Sequence, residues 1–138
     1  LMLQQDYPDD YVIATGRMET VRKFIEISAS KLGWNNNKDS NPIKWEGEGV
    51  NEIGRRSDTN QIVIRINPRY FRPTEVEQLQ GDATKAYKKL NWSPKISLEE
   101  LISEMIENDK REALKESVLK KEGFKVNRPV ENPPSIKD

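Results

Sequence analysis

The chain has 138 residues, enough for about one domain, and its 23 lysines and arginines balance 23 aspartates and glutamates. This zero net charge disfavours a general nucleic-acid binder and a protein that binds anionic membranes, because both use a basic surface. Without cysteine or histidine, these residues can form no disulfide, thiolate nucleophile, zinc–sulfur site, imidazole metal site or histidine-based triad.

Hydrophobic residues are scarce for a self-contained domain. They make up 34% of the chain, and counting the glycines leaves it below the roughly 45–50% that is usual on that wider count. We therefore expect a modest core, or one shared with something outside the chain. With no apolar run of transmembrane length and no signal peptide, a cytoplasmic protein is expected. The opening Leu1-Met2-Leu3 is expected to lie within a longer protein.

The N-terminal third predicts a strand followed by a helix. Residues 11–15 are an apolar, partly β-branched run that favours a buried strand, which Gly16 ends. The next apolar positions fall on one helical face, and Gly33 is typical of a helix C-terminal cap. The residues of that face are Val21, Phe24, Ile25, Ser28 and Leu32.

Two short strands are predicted in the middle of the chain. Residues 43–46 favour the first strand, and residues 61–66 form the clearest β-branched run, which Pro68 ends. The intervening residues 47–60 are rich in glycine and charge, so we predict a loop there.

Two helices are predicted after these strands. Asp82 is a candidate N-cap for a short helix reaching Leu90. Ser97 and Glu100 form a capping-box pattern at the start of a longer helix that is expected to end near Lys121. The apolar face of that helix comprises Leu98, Leu101, Ile102, Met105 and Ile106. We assign residues 1–122 to one α/β domain and residues 123–138, with three prolines, to a C-terminal tail.

The pattern with the most chemical content is the stretch from Asn67 to Val76. Arg72 precedes Glu75 by three residues, and Pro68 and Pro73 restrict the backbone around them. An arginine fork matches a phosphate through two parallel hydrogen bonds, and a glutamate carboxylate can accept from both hydroxyls of a ribose. A plain surface ion pair explains the same spacing, so the residues alone leave both interpretations open.

Other patterns in the sequence give weaker evidence for a functional site. The glycine-rich residues 45–54 make a poor phosphate cradle, because three glutamates accompany the glycines and no Lys-Ser or Lys-Thr follows. The carboxylates of the long helix, such as Glu99 and Glu104, are best explained as a solvated face. The chain has no GxGxxG turn, and we assign it no catalytic residue, cofactor-binding residue or metal ligand.

Taken together, these stretches resemble the C-terminal part of GDP-mannose 4,6-dehydratases, which are extended short-chain dehydrogenases. The most family-specific stretch is Tyr70-Phe71-Arg72-Pro73-Thr74-Glu75-Val76. The resemblance also includes Asp10-Tyr11-Val12-Ile13-Ala14-Thr15-Gly16, Trp45-Glu46-Gly47, Gly81-Asp82 and Leu90-Asn91-Trp92, with Pro94 following.

The resemblance implies the small C-terminal substrate-binding domain of such an enzyme, with the NADP-binding Rossmann domain absent from this chain. By position, Arg72 would hold the diphosphate of GDP-mannose and Glu75 the ribose hydroxyls. The family converts GDP-mannose to GDP-4-keto-6-deoxymannose and water, a step toward GDP-fucose and other deoxysugars. Its catalytic residues have no counterpart here, so this piece alone is expected to be inactive, and the full-length enzyme is expected to be a homodimer or homotetramer.

Two alternatives remain open on the sequence. The chain could be the substrate-binding part of another sugar-nucleotide epimerase, decarboxylase or dehydratase. It could also be a non-catalytic fragment that only binds nucleotide or assembles with a partner.

Overall fold

The computed structural model describes residues 1–35, 37, 40–72 and 79–126. Within these ranges the chain forms three α-helices, one three-stranded sheet and three short 3-10 turns. The helices are α1 (Val21–Lys31), α2 (Thr84–Leu90) and α3 (Leu98–Lys121), and the strands are β1 (Ile43–Glu46), β2 (Ile53–Arg56) and β3 (Ile62–Arg65). This combination is a small α/β unit, as the sequence predicted.

Helix α1 begins and ends at residues that suit these positions. The Thr20 side chain accepts a hydrogen bond from the Lys23 backbone nitrogen at 3.0 Å, which satisfies one donor of the first turn. At the other end Gly33 has a φ of +77°, a conformation that costs glycine little. The Trp34 backbone nitrogen then donates to the Ala29 carbonyl at 3.1 Å. The predicted helix with its glycine cap is confirmed.

The three strands form an antiparallel meander in the order β1-β2-β3, with a register shift between Gly54 and Arg55. Gly54 is required by packing. A Cβ there would lie 2.7 Å from Ile64 Cδ1 and 3.1 Å from Ile43 Cγ2, so a side chain would displace Ile64 and the buried Ile43. Ile43 is only 1% exposed, which places the core of the sheet at this point.

The predicted loop over residues 47–60 is wrong in part. It contains a 3-10 turn, Gly49–Asn51, and the whole of β2, Ile53–Arg56. Glycine and arginine have low or neutral strand propensity, which is why the pattern predicted a loop. Pairing on both sides, with β1 and with β3, overrides that preference, since a central strand can pair its backbone groups along both edges.

Helix α2 and helix α3 lie close to their predicted bounds. The N-cap of α2 is Ala83 rather than Asp82, because the Asp82 side chain caps one residue early, accepting from the Thr84 backbone nitrogen at 2.9 Å. Ser97 and Glu100 form the predicted capping box at the start of α3, and the helix ends at Lys121 as expected. Ile102 of α3 is fully buried and anchors the helix to the core.

The predicted strand at residues 11–15 is not formed. These residues are extended, but no strand in the described part of the chain pairs with them, and Val12 and Ile13 are each about half exposed. An extended run becomes a strand only when a neighbour accepts and donates its ladder of hydrogen bonds. The run instead passes close to Gly81, just before α2, where Val12 and Ala14 face the glycine. Within the described ranges, no helix combines the length and apolarity needed to cross a membrane.

Candidate functional site

Arg72 follows a turn whose backbone is fixed by local contacts. The Asn67 carboxamide accepts a hydrogen bond from the Arg69 backbone nitrogen at 3.0 Å, and Pro68–Tyr70 forms one 3-10 turn. The ring of Phe71 reaches the surface of the sheet hairpin, where a Cβ placed on Gly49 would lie 3.9 Å from Phe71 Cζ. These contacts position the chain immediately before Arg72.

The structure locates one of the two predicted site residues. Arg72 is exposed at the surface of the protein, where a ligand in solution can reach it. Glu75 lies in residues 73–78, outside the described part of the chain, so its predicted pairing with Arg72 on one ligand stays a prediction.

Beyond residue 78, the chain is held by a strap, which we define as residues 9–16. A Cβ on Gly81 would lie 2.6 Å from Ala14 Cβ and 3.3 Å from Val12 Cγ1, so the two backbones can approach only because residue 81 is glycine. Next to this contact, the Gln80 side-chain amide donates to the Gly16 carbonyl. The strap therefore holds residues 80 and 81 in place.

The other end of the strap is tied to α2 by charge. Lys85 Nζ lies 2.6 Å from one oxygen of Asp9, and Lys89 Nζ lies 3.1 Å from the other. Lys85 also lies over the ring of Tyr11, 5.1 Å from its centroid. Hydrogen bonds from Lys85 and then Lys89 lower the pKa of Asp9 from 3.8 to about 2, and the same contact raises the pKa of Lys89. The carboxylate is thus ionised at any ordinary pH.

Sequence reasoning missed the role of Asp9. A detectable signal was present: Lys85 and Lys89 are four residues apart, which places two cations on one face of a short helix. Nothing in the sequence, however, indicated which of the many carboxylates would meet them, since Asp9 is separated from Lys85 by 76 residues.

Two cavities open beside the strap. The first has a volume of about 550 Å³ and lies between residues 14–16, residues 80–84 and residues 92–94, with Tyr87 on one wall. The second has a volume of about 500 Å³ and lies along residues 94–99, with Arg17, Glu19 and Leu101 at its sides. They share Thr15 and Pro94, so they adjoin each other. Arg72 lines neither of them.

Two tryptophans, Trp34 after α1 and Trp45 on β1, each stack against an arginine. Trp45 donates its indole N–H to Glu26 at 3.0 Å, and the Arg22 guanidinium stacks 4.2 Å from the Trp45 ring centroid while pairing with Glu52. Trp34 carries a second arginine above its ring. The contacts of Trp45 link α1 to β1.

The glycine-rich stretch has a structural role. A Cβ on Gly47, whose φ is +83°, would lie 2.6 Å from the Asn51 carbonyl oxygen. Together with the close packing at Gly54, this shows that these glycines serve the hairpin itself. Among the described residues no group of three or more carboxylates is placed to hold a metal ion.

Comparisons with known proteins agree with this sequence pattern. The family model described as GDP-mannose 4,6 dehydratase matches residues 1–105. A GDP-mannose 4,6 dehydratase of Drosophila melanogaster is 47% identical over 109 residues, which cover 79% of this chain and 26% of that protein. The human GDP-mannose 4,6 dehydratase is 46% identical over 109 residues, covering 79% of this chain and 27% of its own length.

A bacterial relative matches over more of the chain. The GDP-mannose 4,6-dehydratase of Yersinia enterocolitica is 41% identical over 142 aligned residues, covering 96% of this chain and 36% of that protein. The chain thus spans about a quarter to a third of the length of the curated relatives it matches.

Proposed function

The chain belongs to the GDP-mannose 4,6-dehydratase family, and we propose that it forms the substrate-binding part of an NADP-dependent lyase. The reaction would convert GDP-mannose to GDP-4-keto-6-deoxymannose and water. The observation that carries the proposal is the family match over residues 1–105, which contains both Arg72 and Glu75.

Arg72 would hold the diphosphate of GDP-mannose. Its guanidinium presents paired N–H groups that match two phosphate oxygens. The turn capped by Asn67 and the packing of Phe71 hold the preceding backbone in place, so less conformational freedom is lost when the ligand binds. Glu75 would accept hydrogen bonds from the ribose hydroxyls.

NADP would be bound outside these 138 residues. A dinucleotide site of the family's fold class needs a strand, a GxGxxG turn and a helix whose N-terminus faces the pyrophosphate. The described residues do not fit this requirement. Gly47 and Gly54 make close contacts within the hairpin, and the sheet is an antiparallel meander rather than a parallel sheet.

Substrate binding by this chain and NADP binding outside it have further consequences for the whole protein. Residues 1–122 would act as the substrate-binding domain and residues 123–138 as a tail, and the chain by itself would have no turnover. The complete enzyme would be a cytoplasmic homodimer or homotetramer of nucleotide-sugar metabolism, supplying a keto sugar for GDP-fucose or another deoxysugar.

Calorimetric titration of the chain with GDP and with UDP tests the binding role. We expect GDP to bind more tightly than UDP, and Arg72→Ala to weaken GDP binding by roughly ten- to a hundredfold, because a charge-assisted hydrogen-bond pair is lost. Arg65→Ala is the matched control, since Arg65 is an exposed arginine on β3. Equal affinities for GDP in the wild type and Arg72→Ala would contradict the proposal.

A further inference from the structure

The first cavity differs in chemistry from the Arg72 segment. None of the described residues that line it is lysine or arginine, and its charged group is the carboxylate of Asp82. The remaining polar lining consists of neutral side chains: Thr15, Gln80, Thr84 and Ser93. Lys88 on α2 lies outside the lining but close enough to act electrostatically on Asp82. A phosphate or carboxylate ligand would still meet a carboxylate, and no lysine or arginine, in the lining itself.

Asp82 is arranged to accept hydrogen bonds from a ligand. Its Oδ1 accepts from the backbone nitrogen of Thr84 at 2.9 Å and from the Thr84 hydroxyl at 2.5 Å. These bonds, led by the one from the hydroxyl, lower the pKa of Asp82 and hold the carboxylate in one orientation. Within the described residues Oδ2 accepts no hydrogen bond, so this oxygen is available to a hydroxyl donor.

An aromatic wall completes the cavity. Tyr87 on α2 is 60% exposed, and Trp92 follows the end of that helix. Asn91, with a φ of +51°, turns the chain back, and the Trp92 backbone nitrogen then donates to the carbonyl of buried Ala86 at 3.4 Å. Both aromatic residues are therefore placed by the same short helix. The side-chain amide of Gln80 is held by the Gly16 carbonyl, which fixes the carboxamide at the edge of the cavity.

We propose that this cavity is a glycosyl-binding site, separate from Arg72, for a neutral pyranoside. A pyranose ring has an apolar C–H face, which packs against an aromatic ring, and a rim of hydroxyls, which donate to oxygens such as Asp82 Oδ2. The volume of about 550 Å³ lies within the roughly 300–1,000 Å³ range of small-molecule sites. A neutral, hydroxyl-rich ring suits both the aromatic wall and a lining without lysine or arginine.

Saturation-transfer NMR of the chain with methyl α-D-mannopyranoside tests this site. We expect saturation of the ring protons in the wild type, and roughly two- to tenfold weaker binding in Tyr87→Ser, from the loss of one ring contact. Asp82→Asn keeps the turn to Thr84 but removes the charge, and it should also weaken binding. Tyr7→Ser is the matched control, because Tyr7 is 82% exposed and does not line the cavity.

The outcomes separate clearly. Saturation that falls in the Tyr87 and Asp82 variants, persists in the Tyr7 variant and resists excess inorganic phosphate supports a neutral glycosyl site. The proposal is overturned if no saturation is seen, if Tyr87→Ser and Tyr7→Ser behave alike, or if inorganic phosphate displaces the glycoside. Circular dichroism of each variant confirms that the helices are retained before affinities are compared.

Discussion

Replacing Gly81 with alanine would add a methyl group at the point where the strap passes the residues that precede α2. The added Cβ would lie 2.6 Å from Ala14 Cβ and 3.3 Å from Val12 Cγ1, well inside the ordinary carbon–carbon separation of about 3.5–4.0 Å. The φ of Gly81 is outside the left-handed region, so backbone strain does not contribute. The change therefore isolates the steric effect of strap packing.

Overpacking of this kind costs about 1–3 kcal/mol of unfolding free energy. For a chain of this size that corresponds to a fall in Tm of about 4 °C per kcal/mol. Thermal unfolding followed by circular dichroism measures it. Because the clash is between two Cβ atoms, Ala14→Gly in the same chain should restore much of the loss.

The double variant Ala14→Gly/Gly81→Ala shows whether the loss of stability comes from the contact between residues 14 and 81. If Gly81→Ala acts through the strap, the coupling between the Ala14 and Gly81 substitutions is favourable and exceeds about 0.5 kcal/mol. A Gly81→Ala variant as stable as the wild type, or losses that simply add in the double variant, would show that residue 81 does not act on stability through the strap. Binding of GDP to Gly81→Ala then shows whether the strap also positions the Arg72 segment.

Three further predictions concern the ends of the strap and of α3. Asp9→Asn should lower stability at neutral pH. The pKa of Asp9 in the folded protein is lowered from 3.8 to about 2, so the wild type gains stability from this group only while the carboxylate is ionised. The difference in stability between the wild type and Asp9→Asn should therefore shrink as the pH falls from about 4 to about 2. Urea titrations at several pH values would measure it. Ser97→Ala should cost about 1 kcal/mol by removing the cap of α3, whereas an unchanged urea midpoint would contradict the capping role. Ile102→Ala should cost about 2–5 kcal/mol at a fully buried site, and Leu114→Ala, at 67% exposure, less than about 0.5 kcal/mol; equal losses would contradict the assigned core.

Elements governed by local chemistry could be predicted from the sequence. The capping box of Ser97 and Glu100 and the glycine end of α1 depend on residues within one turn, so their spacing was sufficient. The apolar strands β1 and β3 were likewise found from composition. Family membership was recognised from the stretch around Arg72, and the comparisons confirm it.

Elements that depend on contacts between residues far apart in the chain could not be predicted from the sequence. Strand β2 contains Gly54 and two arginines and forms because neighbours on both sides pair with it. Residues 11–15 have strand composition but no strand partner among the described residues, so they stay unpaired. The meeting of Asp9 with Lys85 joins residues 76 positions apart, and no local pattern specifies it.

Turnover of GDP-mannose with NADP is the decisive test of the proposed substrate-binding role of this chain. The chain is fused to the dinucleotide-binding part of a related dehydratase, such as the Yersinia enterocolitica relative, and compared with the same fusion carrying Arg72→Ala or Arg65→Ala. We expect the wild-type and Arg65→Ala fusions to form the 4-keto sugar, and the Arg72→Ala fusion to have a strongly raised KM. A folded fusion that binds NADP but forms no keto sugar, or an Arg72→Ala fusion with unchanged kinetics, would contradict this role.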